Sequence, residues 1–239
     1  MKKGIVYYSD NYPDATMLKI CQDNLLRCIG DNFDVVSVTH KPIDFGRNFV
    51  MGLNRSKLSI MRQILKGLKE STVDMVFLVE HDVIYHPSHF EFEINDDKTF
   101  YYNRNRWAID PDENSDTYGL GVKYPNHVLG LLCADMGLMM EYFTKRVKFN
   151  EEFGDHHPAV GFSPHKGLPR GKWVGVRGYW ESEYPCLDIR HNQTFTRKRM
   201  TKSKFSKRQV KPQWEEKYDF PYWGKITPWE KFLTKLGEL

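Results

Sequence analysis

The segment that most constrains the fold of this chain is DMVFLVEHD, residues 74–82. Five apolar residues, 75–79, follow one another without interruption, a pattern typical of a strand buried on both faces in the centre of a parallel sheet. Glu80, His81 and Asp82 come at its carboxyl end, the edge at which open α/β sheets bind ligands. Glu80 and Asp82 would share one face of an extended backbone. Two such carboxylates suit a hard divalent cation that also contacts phosphate oxygens.

Strand and helix patterns alternate along the first 90 residues. Runs of β-branched and aromatic residues predict strands, and apolar residues at helical spacing predict helices between them. Gly30 is a candidate C-cap of the first helix, and Ser56 is a candidate N-cap of the second. Strands joined through helices form right-handed crossovers, which predicts a parallel sheet flanked by helices. The predicted elements are strand 4–9, helix 17–29, strand 33–40, helix 56–69 and strand 75–79.

The alternation changes after residue 90. Aromatic and apolar runs predict two further strands, 99–109 and 127–133, and a helix over 135–147. Residues 149–195 show no period, and their aromatic residues, histidines, glycines and prolines predict an irregular, aromatic-rich functional region. The chain ends in a pattern for a short helix, which is expected to dock through Trp229, Phe232 and Leu236.

The composition is that of a globular protein. Of the 239 residues, 40% are hydrophobic and 14% aromatic, enough for one large domain with a sizeable core. The early apolar stretch, residues 4–8, is shorter than a secretory signal needs. The apolar run 129–140 contains Asp135 and is too short to span a bilayer. Because the four cysteines also form no C-x-x-C pair, the sequence predicts a cytoplasmic protein with reduced thiols.

Positive charge is concentrated in one segment. The chain has a net charge of +4, yet residues 197–211 hold eight lysines and arginines and no acidic residue, which leaves 27 basic and 31 acidic residues elsewhere. A segment of this kind often contacts a polyanion, and a solvated surface segment is the equal alternative. The candidate contacts are Lys202, Lys204, Lys207 and Arg208.

Two segments resemble GT-A-type glycosyltransferases: the buried strand with Glu80-His81-Asp82 at its end, and the strand-then-helix segment HVLGLLCADMGLMMEYF, residues 127–143. In that family a D-x-D motif closes such a strand and holds a divalent cation on the diphosphate of a sugar nucleotide. The resemblance covers the arrangement of residues 4–192 and implies a Rossmann-type mixed sheet flanked by helices. This chain departs from the motif because Glu80 replaces the first aspartate and His81 fills the middle.

The resemblance implies transfer of a sugar from a nucleotide-sugar donor to a hydroxyl acceptor, with Mn²⁺ or Mg²⁺ as cofactor. The implied metal ligands are Asp82, Glu80 and His191, the last at about the place of a C-terminal family histidine. The implied organisation is a catalytic domain, 1–195, with a nucleotide-sugar half, 1–90, and an acceptor half, 91–195, and then a basic segment and a C-terminal helix, 196–239, packing on it.

Donor contacts are expected just past the first strand and at the start of the second helix. The candidates are Tyr8, Asp10, Arg55, Lys57 and Glu80. In an inverting reaction a side chain must also take a proton from the acceptor hydroxyl. The candidate bases are Glu183, Glu181 and Asp135, and Trp180 is a candidate stacking contact for the acceptor.

Alternatives remain open for single residues. Glu80 could contact ribose or sugar hydroxyls instead of the metal, and Asp135 could cap the helix that follows it. His81, His86 and His89 have a spacing that brings nitrogen donors close, so a zinc site is another interpretation.

Alternatives also remain open for the function. A metal-dependent phosphodiesterase or nuclease would use the same carboxylates, and a non-catalytic nucleic-acid-binding protein would use 197–211. For a transferase, DNA with a hydroxylated base is the preferred acceptor because of that basic segment. An anionic glycan or a phosphorylated lipid carrier would fit the charge almost as well.

Overall fold

Helices and strands follow each other through both halves of the chain. The computed structural model describes residues 1–123, 127–154, 164, 168, 171, 174–191 and 215–238. The helices are α1 (Ala15–Ile29), α2 (Lys57–Glu70), α3 (Met136–Phe153) and α4 (Trp229–Glu238). The strands are β1 (Lys3–Ser9), β2 (Asp34–Thr39), β3 (Arg47–Val50), β4 (Met75–Glu80), β5 (Val83–Ile84), β6 (Thr99–Asn103), β7 (Arg106–Ile109), β8 (Gly121–Lys123), β9 (Leu132–Asp135), β10 (Val176–Trp180), β11 (Cys186–Ile189) and β12 (Glu215–Lys217).

Strand β4 lies in the middle of a seven-stranded mixed sheet with the order β10-β6-β9-β4-β1-β2-β3. It runs parallel to β1, and β2 and β3 continue the parallel order to one edge. On its other side β4 is antiparallel to β9, which is antiparallel to β6, and β10 runs parallel to β6. The predicted mixed α/β sheet flanked by helices is therefore confirmed, and residues 75–79 are fully buried in it.

Alternate residues of β4 pack on opposite sides of the sheet. Val76 and Leu78 belong to a core shared with α2 and α3, whereas Phe77 and Val79 belong to a second core that includes residues of α1. Because side chains alternate between the two faces of a strand, Glu80 continues the row of Val76 and Leu78. The side chain of Glu80 therefore leaves the backbone on the face of the sheet that packs against α2 and α3.

A second, five-stranded sheet has the order β12-β8-β7-β11-β5. The main chain leaves the large sheet at Glu80, turns at His81 and Asp82, and enters the second sheet at Val83. Strand β11 pairs antiparallel with β5 and parallel with β7. The turn after β4 thus lies where the two sheets meet.

The helix ends agree with the predicted caps. Ser56 begins α2 by accepting a hydrogen bond from the backbone N–H of Ser59 at 3.0 Å. Gly30 ends α1 with a φ of 55°, a conformation in which a side chain would be strained. Asp14 caps the start of α1, where its side chain accepts hydrogen bonds from the backbone N–H groups of Thr16 and Met17.

The prediction of one strand over 99–109 is wrong. Strands β6 and β7 divide this segment and belong to different sheets. The break comes at Arg104 and Asn105, where the side chain of Asn103 accepts a hydrogen bond from the backbone N–H of Asn105 at 2.9 Å. Asparagine favours such turns, and here it ends one strand within an otherwise strand-like run.

Three further boundaries differ from the prediction. Residues 129–131 form a short 3₁₀ turn, so that the strand expected over 127–133 begins only at Leu132. The hydroxyl of Tyr85 donates to the carbonyl oxygen of Gly130 at 2.6 Å. In a longer strand this carbonyl oxygen would accept a backbone hydrogen bond from the neighbouring strand. The region 149–195 is also less irregular than expected, because α3 runs to Phe153 and β10 and β11 lie within it. The short polar strand β3 gave no sequence signal.

Helix α4 docks as expected. Phe232 and Leu236 are buried in a core that also contains Cys21 of α1, and Trp229 packs against its rim. Among the residues described, no helix combines the length and the apolar character that a membrane span requires.

Two helical glycines offer a matched test of this packing. A Cβ on Gly67 of α2 would lie 2.5 Å from Val6 Cγ1, whereas a Cβ on Gly237 of α4 would meet nothing within 4 Å. We expect Gly67→Ala to lower the free energy of unfolding by about 1–3 kcal/mol through overpacking. Gly237→Ala should instead raise it by up to about 1 kcal/mol through helix propensity. Urea denaturation measures both, and a stabilising Gly67→Ala would contradict the close packing of α2 on β1.

Candidate metal and donor site

The end of β11 is fastened to the turn after β4. The backbone N–H of Ile189 donates to the carbonyl oxygen of Asp82 at 2.8 Å, just beyond the β5–β11 ladder. Ile189 is the last residue of β11, so Arg190 and His191 follow directly beside Asp82. Residues far apart in the sequence are thereby brought to the carboxyl end of the central strand.

Three side chains meet at this point. Nε2 of His191 lies 3.5 Å from Oδ2 of Asp82, and one possible ligand atom each from His81, Asp82 and His191 lie within 4.8 Å of one another. Asp82 is only 8% exposed. Burial alone would raise the pKa of Asp82, but the neighbouring His81, His191 and Arg190 outweigh it and lower that pKa to about 2. Asp82 is therefore an anionic oxygen donor flanked by two imidazoles.

The residues present fit a divalent metal ion. Donors coordinated at about 2.0–2.3 Å to one ion lie up to about 4.5 Å apart, close to the spread of this cluster. Nδ1 of His81 is buried and has no hydrogen-bond partner within the described part of the chain. A buried nitrogen of this kind is costly unless it binds something. We therefore regard His81, Asp82 and His191 as the candidate metal cluster.

Glu80 lies outside this cluster. Its Oε1 accepts a hydrogen bond from the hydroxyl of Tyr8 at 2.7 Å, and its carboxylate packs against the backbone of Gly130, where a Cβ would come within 2.7 Å of Oε2. Burial and the nearby Asp82 carboxylate raise the pKa of Glu80 to about 8. Glu80 thus differs from Asp82 in both environment and charge, and the structure does not group it with the metal ligands that the resemblance implied.

A buried ion network adjoins the cluster through Arg190, which directly precedes His191. Asp188 of β11 accepts hydrogen bonds from Nε and Nη2 of Arg106 and lies 3.3 Å from Nη1 of Arg190. All three side chains are nearly inaccessible to solvent. This network was not predicted, although Asp188 and Arg190 have the i, i+2 spacing that places two side chains on one face of a strand.

Two of the predicted donor contacts, Asp10 and Arg55, lie together just past the end of β1. Nε of Arg55 donates to Oδ2 of Asp10, and its guanidinium lies 4.7 Å from the centre of the Tyr12 ring. His40 follows β2, and burial lowers its pKa, which the charge of Asp10 opposes. Lys57 is the first residue of α2. A cation, an acid and an aromatic ring are thus grouped at the carboxyl edge of the parallel strands.

The predicted base Asp135 lies at the wrong edge of the sheet. It pairs with Met75, the first residue of β4, at the opposite end of the strand from Glu80. At about 3.3 Å per residue this separation is roughly 17 Å. The side chain of Asp135 accepts a hydrogen bond from the backbone N–H of Leu138 and caps α3. The capping role that the sequence left open is the one observed.

Glu183 does not approach the metal cluster either. It acts electrostatically on His86, whose ring lies 4.6 Å from that of Tyr184. His86 and Tyr184 lie beyond the end of the β5–β11 ladder that is remote from Asp82. The expectation of a base at Glu183 therefore does not fit this geometry. Glu181 is exposed and directly follows β10, at the same edge of the sheet as Glu80.

Trp180, the predicted stacking contact for the acceptor, is half-buried and already packs against aromatic residues of the protein. Its ring stacks on Phe92 at 4.4 Å and packs edge-on to Phe77. The other predicted acceptor contacts, Lys202, Lys204, Lys207 and Arg208, lie outside the described residues.

The alternative zinc site is not formed by its three histidines. Nδ1 of His86 bonds to Ser88, and Nδ1 of His89 bonds to Asn103 at 2.9 Å in the core. Within the described ranges, His81 is grouped with Asp82 and His191 instead.

Comparisons with known proteins give a loose likeness of fold. No protein-family model and no curated protein sequence matches the chain. The apo form of the glycosyltransferase GlyE from Streptococcus pneumoniae TIGR4 is similar with 14% identity and a TM-score of 0.40, over 66% of this chain and 40% of that one. A glycosyltransferase involved in the glycosylation of the major capsid of PBCV-1 is similar with 10% identity and a TM-score of 0.46, over 88% of this chain and 100% of that one.

The chain thus spans well under half of the first of these structures and the full length of the second. Both are glycosyltransferases, as the sequence resemblance led us to expect. Since both TM-scores lie below 0.5, the activities of these proteins do not carry over to this chain, and its function has to be argued from its own site.

We expect the ion network of Asp188, Arg106 and Arg190 to contribute measurably to the free energy of unfolding. Asp188→Asn would leave Arg106 and Arg190 buried beside a neutral amide, and we expect a loss of about 3–5 kcal/mol of unfolding free energy. Asp23→Asn is the matched control, because Asp23 pairs with Lys19 on the exposed face of α1 and should cost at most about 0.5 kcal/mol. Equal effects of the two substitutions in urea denaturation would show that the network does not hold the site.

Proposed function

We propose that the protein is a metal-dependent glycosyltransferase that moves a sugar from a nucleotide-sugar donor to an acceptor hydroxyl. The observation that carries the proposal is the cluster of His81, Asp82 and His191 at the carboxyl end of the central strand. Open α/β sheets bind nucleotides at this edge, and an anionic oxygen beside two imidazoles can hold a divalent cation there. The loose likeness to two glycosyltransferase structures agrees with it.

The donor atoms favour Mn²⁺ over Mg²⁺ as the cofactor. Mg²⁺ prefers oxygen ligands in near-ideal octahedral geometry, whereas imidazole nitrogen suits first-row transition metals. Two of the three candidate ligands, His81 and His191, are imidazoles. When bound, the ion would supply positive charge against the diphosphate that leaves the donor.

The chain's own residues then have separable roles. Asp10, Arg55 and Tyr12 would bind the nucleotide portion through charge, hydrogen bonds and an aromatic face. Lys57 at the start of α2 would add positive charge near the phosphates. Glu80 lies at the same end of the central strand and would hydrogen-bond to a donor hydroxyl while Tyr8 holds its carboxylate in place.

The acceptor hydroxyl needs a proton acceptor if the reaction inverts configuration. Of the three predicted bases, Glu181 is the one that follows a strand at the edge of the sheet occupied by Glu80. It is exposed, so it can reach a bound acceptor without rearrangement of the core. We assign the base to Glu181 in this proposal.

Substitution of the metal ligands tests the proposal. Asp82→Asn should abolish Mn²⁺-dependent binding of the donor and sugar transfer, because a neutral amide replaces an anionic ligand. His191→Ala and His81→Ala should each weaken Mn²⁺ binding by at least about tenfold. Electron paramagnetic resonance of free Mn²⁺ measures metal binding without reference to activity. Asp97→Asn, on an exposed loop, is the control and should bind Mn²⁺ like the wild type.

A thermal-shift screen against UDP-sugars, GDP-sugars and free nucleotides, with and without Mn²⁺, then identifies the donor. A ligand that binds the native state alone raises the melting temperature according to its saturation. Full transfer by Asp82→Asn, or by the wild type in excess EDTA, would contradict the metal mechanism. Metal-dependent hydrolysis of bis-p-nitrophenyl phosphate without stabilisation by any sugar nucleotide would replace the proposal by the phosphodiesterase alternative.

A further inference from the structure

A cationic cluster surrounds one tyrosine on the edge strand β10. The guanidinium carbon of Arg104 lies 3.4 Å from the centre of the Tyr179 ring, and that of Arg177 lies 5.2 Å from it. Nε2 of His127 lies 2.7 Å from the Tyr179 hydroxyl and 3.1 Å from Nη1 of Arg177. We call Arg104, His127, Arg177 and Tyr179 the β10 cluster. None of the roles assigned above uses it.

The hydrogen bonds fix the arrangement of the cluster. Nε2 of His127 contacts both the Tyr179 hydroxyl and a guanidinium nitrogen of Arg177, so the imidazole links these two side chains. The His127 ring also packs edge-on against Tyr102 at 4.9 Å, and Tyr102 is buried in the sheet. The tyrosine ring that carries Arg104 is thereby held from the core side.

Stacking on Tyr179 prepares Arg104 for an anion. A guanidinium that lies on an aromatic ring keeps its N–H groups in its own plane, where they match the two oxygens of a carboxylate or phosphate. Arg104 and Arg177 are both exposed, and within the described ranges Arg104 forms no salt bridge with a carboxylate.

Arg104 of the cluster lies on the same face and edge of the sheet as Glu80, whereas Arg177 pairs with Phe100 farther back along the strands. Leu78 pairs with Leu132, Leu132 with Tyr102, and Tyr102 with Tyr179, so these residues form one row across four strands. Glu80 comes two residues after Leu78, and Arg104 comes two residues after Tyr102. The backbone N–H of Arg104 donates to the carbonyl oxygen of Trp180 at 2.9 Å and continues the ladder.

Two strand spacings separate Arg104 from Glu80, or roughly 10 Å between their backbones. That is the span of one to two sugar rings. An oxyanion held at the β10 cluster would therefore leave the neighbouring ring of the same molecule at the donor site.

We propose that the β10 cluster binds the oxyanion of an acidic sugar in the acceptor, a carboxylate or a phosphate. The inference rests on the proposed function only in taking the bound molecule as the acceptor. A sugar is favoured over nucleic acid because both aromatic rings on β10 are engaged: Tyr179 carries Arg104, and Trp180 stacks on Phe92. Stacking of a base on this strand would have to compete with these contacts, whereas recognition of one anion requires no free ring.

Calorimetric titration without donor or metal tests the inference directly. The probes are trigalacturonic acid, the neutral trisaccharide maltotriose, glucose 6-phosphate as the phosphate source, and the oligonucleotide dT8. We expect the wild type to bind trigalacturonic acid or glucose 6-phosphate and to bind maltotriose much more weakly. Arg104→Gln and Arg177→Gln should each weaken binding of the acidic probe by about tenfold or more, as the loss of a charge-assisted hydrogen bond requires.

Lys148→Gln is the matched control, because it removes one exposed positive charge from α3 and should leave the affinity unchanged. Equal affinity for the acidic and neutral probes, no binding of any probe, or wild-type affinity in both arginine variants would overturn the inference. Binding of dT8 that both variants lose, without binding of the acidic sugars, would replace the sugar by nucleic acid. Since Mn²⁺ binding is measured separately, failure here is distinct from failure of the proposed function.

Discussion

The hydrogen bond from the backbone of Ile189 to the carbonyl oxygen of Asp82 is the contact on which the site depends. It extends a two-residue ladder between β5 and β11 and sets the register in which β11 ends. That register places His191 beside Asp82, and Asp188 and Arg190 form the ion pair next to it in the sequence. Shifting a strand by one residue would turn every side chain to the opposite face, so the position of His191 follows directly from this backbone pairing.

Glu80 and Asp82 show how position alone separates two carboxylates. Both are close to the end of the same strand, yet Glu80 is enclosed by Tyr8 and the backbone of Gly130, and its pKa rises to about 8. Asp82 faces two imidazoles and an arginine, and its pKa falls to about 2. Side chains of similar chemistry, two residues apart, thereby have pKa values shifted in opposite directions by their surroundings.

Sequence reasoning worked where local pattern and burial agree. The apolar run 75–79 predicted the central strand, and the cap residues Gly30 and Ser56 predicted one end each of α1 and α2. The predictions were wrong where the fold depends on pairing between segments that are far apart in the sequence. The aperiodic stretch around Glu183 gave no hint that β5 and β11 carry it away from Asp82, and the split at Arg104 and Asn105 depends on two sheets competing for one aromatic run. His191 came from the family resemblance, since spacing alone does not reveal which strands meet.

The candidate ligands come from two regions of the chain, the turn after β4 and the segment after β11. An unfolded chain does not hold these regions together, so affinity for a cation is a property of the completed fold. A bound ion would link the turn after β4 to the segment after β11 and would shift the folding equilibrium towards the native state. This link would also slow any local opening that separates β11 from β5. The supply of metal in the cell would then influence the lifetime of the protein as well as its activity.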